Sequence, residues 1–272
     1  MGKTDMLNTA RAGACKDLPS TTLIVGARGR MGDMLLSQAR GAGLDVRGVD
    51  TELTPETLAR ACAGVELALL CVPAPVLEQV ALQVCPFLPR TAVLADITSV
   101  KEGPLRQMEK AWPGAVVGSH PLFGPQAETT ADRPVVIVPG ARAEKRHLAL
   151  TENFFTLLGC RVFHSDAATH DKAMARIQNM NFITNLTYFA MLAGEDDLLP
   201  FLTPSFRRRL HAADKMLTED ARLFADLFEA NVHSHEAVRQ YRNMLNLAAA
   251  GDVDLLCRRA QWWWKDGQKN AD

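Results

Sequence analysis

The fold is decided by one stretch near the start of the chain, Thr21-Thr22-Leu23-Ile24-Val25-Gly26-Ala27-Arg28-Gly29-Arg30-Met31-Gly32. Its first residues form a short apolar run, which is typical of a buried parallel strand. A glycine-rich turn follows directly, and a helical pattern continues from Met34 to Ala42. A strand, a glycine-rich turn and a helix in this order are the context of a dinucleotide-binding turn, because the helix N-terminus offers N–H groups to a pyrophosphate.

Residues of this turn are predicted to bind the cofactor. Gly29 would let the backbone approach the pyrophosphate, and Gly32 would let the helix pack closely on the strand. The first glycine of the usual spacing is replaced by Ala27, although Gly26 stands just before it. A turn that serves only as a tight connection is therefore the alternative. The predicted cofactor set, which includes residues after two later strands, is Gly26, Ala27, Gly29, Arg30, Met31, Gly32, Asp50, Val72 and Pro73.

Asp50 is predicted to favour NAD over NADP. It ends a second predicted strand, 18 residues after Gly32. An acid at this place accepts hydrogen bonds from the adenosine ribose and repels a 2′-phosphate. Arg28 and Arg30 argue for NADP, because either guanidinium can bind a phosphate. A solvated loop aspartate is the alternative interpretation of Asp50.

Strand and helix patterns alternate as far as Asp166 and predict an α/β Rossmann-type domain with a parallel sheet. Beyond it only helical periodicity remains, so an all-α C-terminal domain is expected. The predicted divisions are an N-terminal tail (1–20), an NAD-binding Rossmann domain (21–167) and a helical substrate and dimerisation domain (168–272). Trp262-Trp263-Trp264 lies on the last predicted helix, and at least one indole is expected to pack against a neighbouring helix or a partner subunit.

The composition excludes several classes of partner. Hydrophobic residues make up 47% of the chain, enough for a sizeable core. Lys plus Arg is 30 against 31 for Asp plus Glu, which gives no electrostatic reason to expect nucleic acid or a membrane surface. No apolar run reaches the roughly 18 residues that span a bilayer, and no signal segment is recognisable. The six cysteines lack paired spacing, which predicts reduced thiols in a cytoplasmic protein, and no metal site is expected.

A second stretch predicts the chemistry, Val116-Val117-Gly118-Ser119-His120-Pro121-Leu122-Phe123-Gly124-Pro125. His120 stands where a strand is expected to end, before rigid turn residues. The fragment Asp96-Ile97-Thr98-Ser99-Val100-Lys101 ends the preceding strand, and the carboxyl ends of parallel strands lie at one edge of a sheet. A neutral His120 at that edge is predicted to act as a proton acceptor. The alternatives are a core histidine at 120, a turn hydroxyl at Ser99, and a helix-start or salt-bridge role for Lys101.

The stretches around Ser99 and His120 resemble the active-site signature of prephenate dehydrogenases, and the glycine turn is similar to the cofactor turn of that family. Further similarities, notably to the enterobacterial branch, are Thr169-His170-Asp171, Ile177-Gln178 and Thr203-Pro204-Ser205-Phe206-Arg207. The resemblance implies NAD-dependent oxidative decarboxylation of prephenate to 4-hydroxyphenylpyruvate in tyrosine biosynthesis. It implies that His120 accepts the hydroxyl proton and that Ser99 fixes the imidazole or bonds the same hydroxyl. A monofunctional enzyme without a chorismate mutase domain is expected.

The resemblance also implies where the two carboxylates of the substrate bind. Lys215 and Arg207 are the predicted cations, and Gln178 is a further substrate residue. Lys215 stands where the family has an arginine, and Phe182 stands where many members have a histidine. Weak or absent inhibition by tyrosine is therefore expected.

Three other functions stay open at this point. An arogenate or 4-amino-4-deoxyprephenate dehydrogenase would use the same fold and the same base. Another two-domain hydroxyacid dehydrogenase would rely on a lysine of the helical domain for proton transfer. A nucleotide-binding regulator would have lost catalysis, although Ser99 and His120 argue against it.

Overall fold

The computed structural model describes residues 18–125 and 132–264. Its contacts divide the chain into two compact units. The first unit takes in the chain up to Met174 together with Ala225–Asn231, and the second takes in Ala175–Phe224 and the chain from Val232 onward. The domain boundary near residue 167 stays a prediction, and nearly all of the N-terminal tail lies outside the described residues.

The first unit is built on a seven-stranded sheet with the order β2-β1-β3-β4-β5-β6-β7. Neighbours from β2 to β5 are parallel, so the predicted α/β fold class is confirmed. β6 runs antiparallel to β5 and parallel to β7, which corrects the expectation of a wholly parallel sheet. Antiparallel neighbours need no helical crossover, and none of the described residues between β5 and β6 is helical. The strands are β1 (Thr22–Val25), β2 (Val46–Val49), β3 (Leu67–Leu70), β4 (Val93–Asp96), β5 (Val116–Pro121), β6 (Pro134–Pro139) and β7 (Arg161–His164).

Helices cover both faces of this sheet, because its strands are apolar on both sides. Leu23 and Val25 of β1 belong to one buried cluster, which also contains Leu77, while Ile24 belongs to a second cluster with Phe154. The helices of this part of the chain are α1 (Arg30–Gly41), α2 (Pro55–Cys62), α3 (Ala74–Val84), α4 (Glu102–Ala111), α5 (Lys145–Leu157) and α6 (Ala167–Met174).

The chain after Met174 is helical throughout its described part, as expected. Apolar residues at helical spacing from Asp171 to Ala193 predict one continuous helix. The structure interrupts it with a π-helical segment, Ala175–Asn179. Its last residue is buried and donates a hydrogen bond of 2.8 Å from Asn179 Nδ2 to Ser234 Oγ. The helices that follow are α7 (Met180–Met191), α8 (Pro204–Thr218), α9 (Ala221–Ala230), α10 (Ser234–Ala249) and α11 (Val253–Ala260), with a short 3-10 turn at Gln261–Trp264.

None of the helices among the described residues is long and apolar enough to cross a membrane. The cysteines in the same part of the chain are free, and they include buried Cys62, Cys85 and Cys160 and exposed Cys257. Burial raises the pKa of Cys62 to about 11 and that of Cys85 to about 12, so both are neutral thiols at physiological pH.

Candidate active site

His120 is the penultimate residue of β5, and only 3% of its surface is exposed. Strand β6 flanks it on one side, where Val136 is its partner in the antiparallel pair, while the pairing with β4 ends at Gly118. Its Nδ1 atom lies 2.9 Å from Nε2 of His170 on α6, and the two rings meet edge to face. No described residue hydrogen-bonds Nε2 of His120. One ring nitrogen is therefore held by the protein, and the other is available to a bound molecule.

Asp171 extends this contact into a chain of three side chains. Its Oδ1 atom lies 2.7 Å from Nδ1 of His170. The N–H of Lys101 donates to Oδ1 at 2.8 Å, and the N–H of Glu102 donates to Oδ2 at 2.9 Å, so this carboxylate caps the start of α4. The side chain of Asn231 donates to the carbonyl oxygen of Asp171 at 2.8 Å. These bonds anchor the start of α6 to the sheet unit.

A buried ion pair lies beside the same strand ends. Lys101 Nζ is 2.7 Å and 2.6 Å from the two carboxylate oxygens of Asp96, and it also donates to the carbonyl oxygen of Ser119 at 2.6 Å. Both charged side chains are fully buried. Burial lowers the pKa of Lys101, and the Asp96 carboxylate opposes that effect. The pair ties the end of β4 to β5, which is the salt-bridge role that the sequence left open for Lys101.

The charge state of His120 follows from these surroundings. Burial lowers the pKa of His120 well below its ordinary value of 6.5, and the neighbouring His170 and Lys101 side chains lower it further. The ring is therefore neutral near pH 7. A neutral imidazole with one unbonded nitrogen is suited to accept a proton.

Ser99 follows β4 and is half-buried, and no described residue hydrogen-bonds its hydroxyl. Of the two roles that the sequence left open for Ser99, fixing the imidazole is met in the structure by His170, which lies 2.9 Å from Nδ1 of His120. Sequence reasoning missed His170 and Asp171 as site residues. Their only signal was the similarity of Thr169-His170-Asp171 to the family, because His170 lies 50 residues from His120 along the chain. A substrate-binding role for Ser99 stays a prediction.

The glycine turn after β1 leaves no room for a side chain at Gly26 or at Gly32. Gly26 has a φ of +85°, and a Cβ atom there would lie 2.4 Å from the carbonyl oxygen of Cys71, which follows β3. A Cβ atom on Gly32 would lie 2.1 Å from the carbonyl oxygen of Gly26. Substitution at either position would push the turn away from the strand or from α1. The turn lies at the point where the strand order reverses, which is where open α/β sheets bind ligands.

Ala27 at the irregular position of the turn is accommodated by a glycine on the neighbouring strand. It is buried, and its N–H donates to the carbonyl oxygen of Val49 at 3.0 Å. A Cβ atom on Gly48 would lie only 2.8 Å from the Cβ of Ala27. The missing side chain on β2 therefore provides the space that the turn would otherwise need.

Asp50 is held beside this turn. One of its carboxylate oxygens accepts from the backbone N–H of Arg28 at 2.8 Å, and the other accepts from Thr51 at 3.0 Å. The N-cap of α1 is Gly29, so no side chain competes for the N–H groups of the first helical turn. The start of α1 has no side-chain cap and the Asp50 carboxylate is held beside it. This arrangement fits the pyrophosphate and the ribose of a dinucleotide. Val72, whose side chain lies against Gly26, is half-buried, and Pro73, the N-cap residue of α3, is exposed.

The predicted substrate residues all lie in the second unit. Arg207 and Lys215 are exposed on α8, and Gln178 is half-buried in the π-helical segment. Arg207 lines a surface cavity of about 490 Å³, together with His211 and Asp214. The assignment of these residues to the substrate stays a prediction.

Phe182 occupies the apolar interior of the second unit. It is 2% exposed, and its ring stacks on Phe224 with the centroids 5.5 Å apart. The side chain at position 182, where the family resemblance implied a histidine in many members, is thus a packing residue.

A mostly parallel sheet, a glycine turn with a fixed acid beside it, and a buried neutral histidine at a strand end together define a dinucleotide-binding dehydrogenase. Among the described residues, no group of three or more His, Cys, Asp or Glu side chains could hold a metal ion.

Comparisons with known proteins narrow this class. The family model for the nucleotide-binding domain of prephenate dehydrogenase matches residues 38–164. The T-protein of Enterobacter agglomerans is 30% identical over 260 residues, which cover 91% of this chain and 68% of that protein. The chain belongs to the prephenate dehydrogenase family, so the predicted family is confirmed.

Two solved structures share the fold. A prephenate dehydrogenase from A. aeolicus, in complex with hydroxyphenyl propionate and NAD+, superposes with a TM-score of 0.72 at 18% identity and covers 89% of this chain and 95% of its own. An arogenate dehydrogenase from Synechocystis has a TM-score of 0.70 at 21% identity and covers 92% and 99% of the respective chains.

Proposed function

We propose that this enzyme oxidises prephenate with NAD and releases CO₂, forming 4-hydroxyphenylpyruvate for tyrosine biosynthesis. The observation that carries the proposal is the state of His120, which is buried, neutral and held through one ring nitrogen. The family to which the chain belongs supports the choice of prephenate.

The reaction requires a proton acceptor that His120 can supply. A hydride leaves the ring carbon that bears the hydroxyl group, the hydroxyl proton passes to a base, and CO₂ leaves as the ring becomes aromatic. The electrons released by the departing CO₂ reach the oxygen, which takes the proton back from the base to give the phenol. Bound NAD supplies the hydride acceptor. His120 accepts the hydroxyl proton at Nε2 as the carbon–oxygen bond gains carbonyl character, a contribution of roughly 10²–10⁴ in rate for a positioned base. Ser99 hydrogen-bonds the same hydroxyl.

The cofactor is held by the residues around the glycine turn. Gly26, Gly29 and Gly32 admit the pyrophosphate to the start of α1, with Ala27, Arg30 and Met31 in the same turn. The Asp50 carboxylate, already oriented by two backbone N–H groups, accepts from the adenosine ribose and disfavours a 2′-phosphate. Val72 and Pro73 border the turn after β3.

The substrate carboxylates are bound by cations of the second unit. Lys215 and Arg207 provide the positive charge, and Gln178 contributes an amide. A lysine offers a point charge, whereas an arginine grips a carboxylate through two parallel hydrogen bonds.

One assay tests this proposal. Initial rates of NADH formation are measured with prephenate, arogenate and 4-amino-4-deoxyprephenate, each with NAD and with NADP. We expect the largest kcat/KM for prephenate with NAD. A larger value for either amino substrate would assign the sister activity, and a preference for NADP would show that Arg28 or Arg30 outweighs Asp50. No oxidation of any of the three acids would favour a regulator or another hydroxyacid dehydrogenase.

We also propose that the enzyme is a cytoplasmic homodimer that associates through its helical part. Large apolar side chains of the second unit are exposed, including Leu199 at 59%, Phe201 at 79% and Trp264 at 76%. Clustered exposed apolar groups mark association surfaces. Light scattering at micromolar concentration should give twice the mass of the chain, and a monomer mass would contradict the proposal.

A further inference from the structure

We propose that His170 and Asp171 are positioning residues that hold His120 in the tautomer with a protonated Nδ1 and an unprotonated Nε2. The inference deepens the proposed function and rests on it for the identity of the proton donor. It concerns which nitrogen of His120 carries hydrogen before any substrate is bound.

The carboxylate of Asp171 determines which nitrogen of His170 carries hydrogen. An ionised carboxylate has only acceptor atoms, and this one already accepts the backbone N–H groups of Lys101 and Glu102. The contact of 2.7 Å between its Oδ1 and Nδ1 of His170 therefore requires the hydrogen on the histidine nitrogen. Asp171 thus assigns the tautomer of His170.

The tautomer of His170 determines in turn which nitrogen of His120 carries hydrogen. We take His170 as the neutral imidazole, in which hydrogen on Nδ1 leaves a lone pair at Nε2. His120 Nδ1, at 2.9 Å, must then donate its hydrogen to that lone pair. The remaining nitrogen of His120, Nε2, is left without hydrogen and can accept a proton.

Burial and charge make this assignment firm. His170 and Asp171 are 3% and 1% exposed, so bulk water cannot replace either partner. The Lys101 ammonium is paired with Asp96, and Asp171 bonds only to the backbone N–H of Lys101. The Asp171 carboxylate lies 2.7 Å from Nδ1 of His170, where its negative charge also stabilises the positive charge that His120 gains when it accepts a proton. Similar orientation of a catalytic histidine by an aspartate is well established in hydrolases.

The test observes the tautomer directly. Protein labelled with ¹⁵N-histidine is studied without substrate by two-bond ¹H–¹⁵N correlation, and His120→Asn identifies the signals of residue 120. We expect hydrogen on Nδ1 of His120 in the wild type and in His170→Gln, because the glutamine oxygen accepts the same bond. Asp171→Asn should move the hydrogen of His120 from Nδ1 to Nε2. The asparagine amide donates to Nδ1 of His170, so His170 carries its hydrogen on Nε2 and donates it to Nδ1 of His120. Hydrogen on Nε2 in the wild type would overturn the inference.

Kinetics provide a second readout. Asp171→Asn should lower kcat by about 10²-fold or more, with KM for prephenate within about twofold. His170→Gln should retain more activity than His170→Ala, because only glutamine restores the acceptor. His147→Gln is the matched control: His147 is also buried in the sheet unit but bonds Glu144, so its loss should leave kcat unchanged.

Two outcomes separate this inference from the structural role of Asp171 at the start of α4 and from the proposed function. Two results together would overturn the inference: an equal loss of kcat in His170→Gln and His170→Ala, and an unchanged His120 tautomer in Asp171→Asn. Asp171 would then serve only as the cap of α4. If the wild type oxidises no cyclohexadienyl acid, the proposed function fails, and the NMR result decides the tautomer by itself.

Discussion

The strand ends of the sheet unit, together with helix α6, form one region that we propose acts on the substrate, and helix α8 forms another. The two regions hold their side chains very differently. His120, His170 and Asp171 are each at most 3% exposed and are linked by contacts of 2.7–2.9 Å. Arg207 and Lys215 stand exposed on α8. Proton transfer needs fixed atoms at hydrogen-bond distance, whereas Coulomb attraction between a cation and a carboxylate tolerates side-chain movement. Changes at the strand ends should therefore affect kcat, and changes on α8 should affect KM.

The largest expected effect comes from His120→Asn, which keeps the approximate size of the side chain and removes the proton acceptor. We expect kcat to fall by roughly 10²–10⁴ with little change in KM. Steady-state kinetics with prephenate and NAD measure both constants. A rise in KM at constant kcat would show that His120 acts in substrate binding. The expected difference between the strand ends, which affect kcat, and α8, which affects KM, would then be wrong.

Lys101→Met tests whether the strand ends need their buried ion pair. The substitution leaves the fully buried Asp96 carboxylate without its partner, which should cost about 3–5 kcal/mol of unfolding free energy. Urea denaturation measures the loss. The double variant Asp96→Asn/Lys101→Met removes the uncompensated charge and should recover part of that stability; no recovery would show that packing of the lysine chain is what matters.

Lys215→Ala tests the other side of the comparison. Loss of one charged hydrogen bond to a carboxylate, about 1.5–3 kcal/mol, should raise KM for prephenate by about 10-fold or more while kcat changes little. Lys215→Arg should preserve binding. If Arg207→Ala raises KM strongly and Lys215→Ala does not, the carboxylate site belongs to Arg207.

The smallest expected effect is in the pH profile, where the pH at which kcat/KM falls on the acidic side should be lower than for an ordinary histidine. The pKa of His120 is lowered from 6.5, so kcat/KM should keep its plateau below pH 6.5 and fall only at more acidic pH. A fall at or above pH 6.5 would mean that the ring is not desolvated. The buried neutral ring also contributes stability that is complete above pH 6.5 and is lost as the pH falls towards the lowered pKa.

Most of the first unit could be predicted from local pattern. The apolar runs at β1, β3 and β4, the glycine turn and the helices between them follow from periodicity and turn chemistry among residues close in sequence. The antiparallel direction of β6 could not be predicted in this way, because strand direction depends on pairing with a distant neighbour. The interruption of the helix at Ala175–Asn179 escaped for the same reason: Asn179 bonds Ser234, 55 residues further along the chain.

The sequence by itself determined the family, the fold class and His120 as the proton acceptor to test. Only the tertiary structure decided what holds that histidine, namely His170 with Asp171 where Ser99 was expected. It also showed that Gly48 makes room for the irregular Ala27 of the cofactor turn. The physical reason is the distance along the chain between the residues that interact. Helix and strand patterns arise from neighbours a few residues apart, whereas a hydrogen bond between side chains 50 residues apart exists only once α6 has packed beside the end of β5.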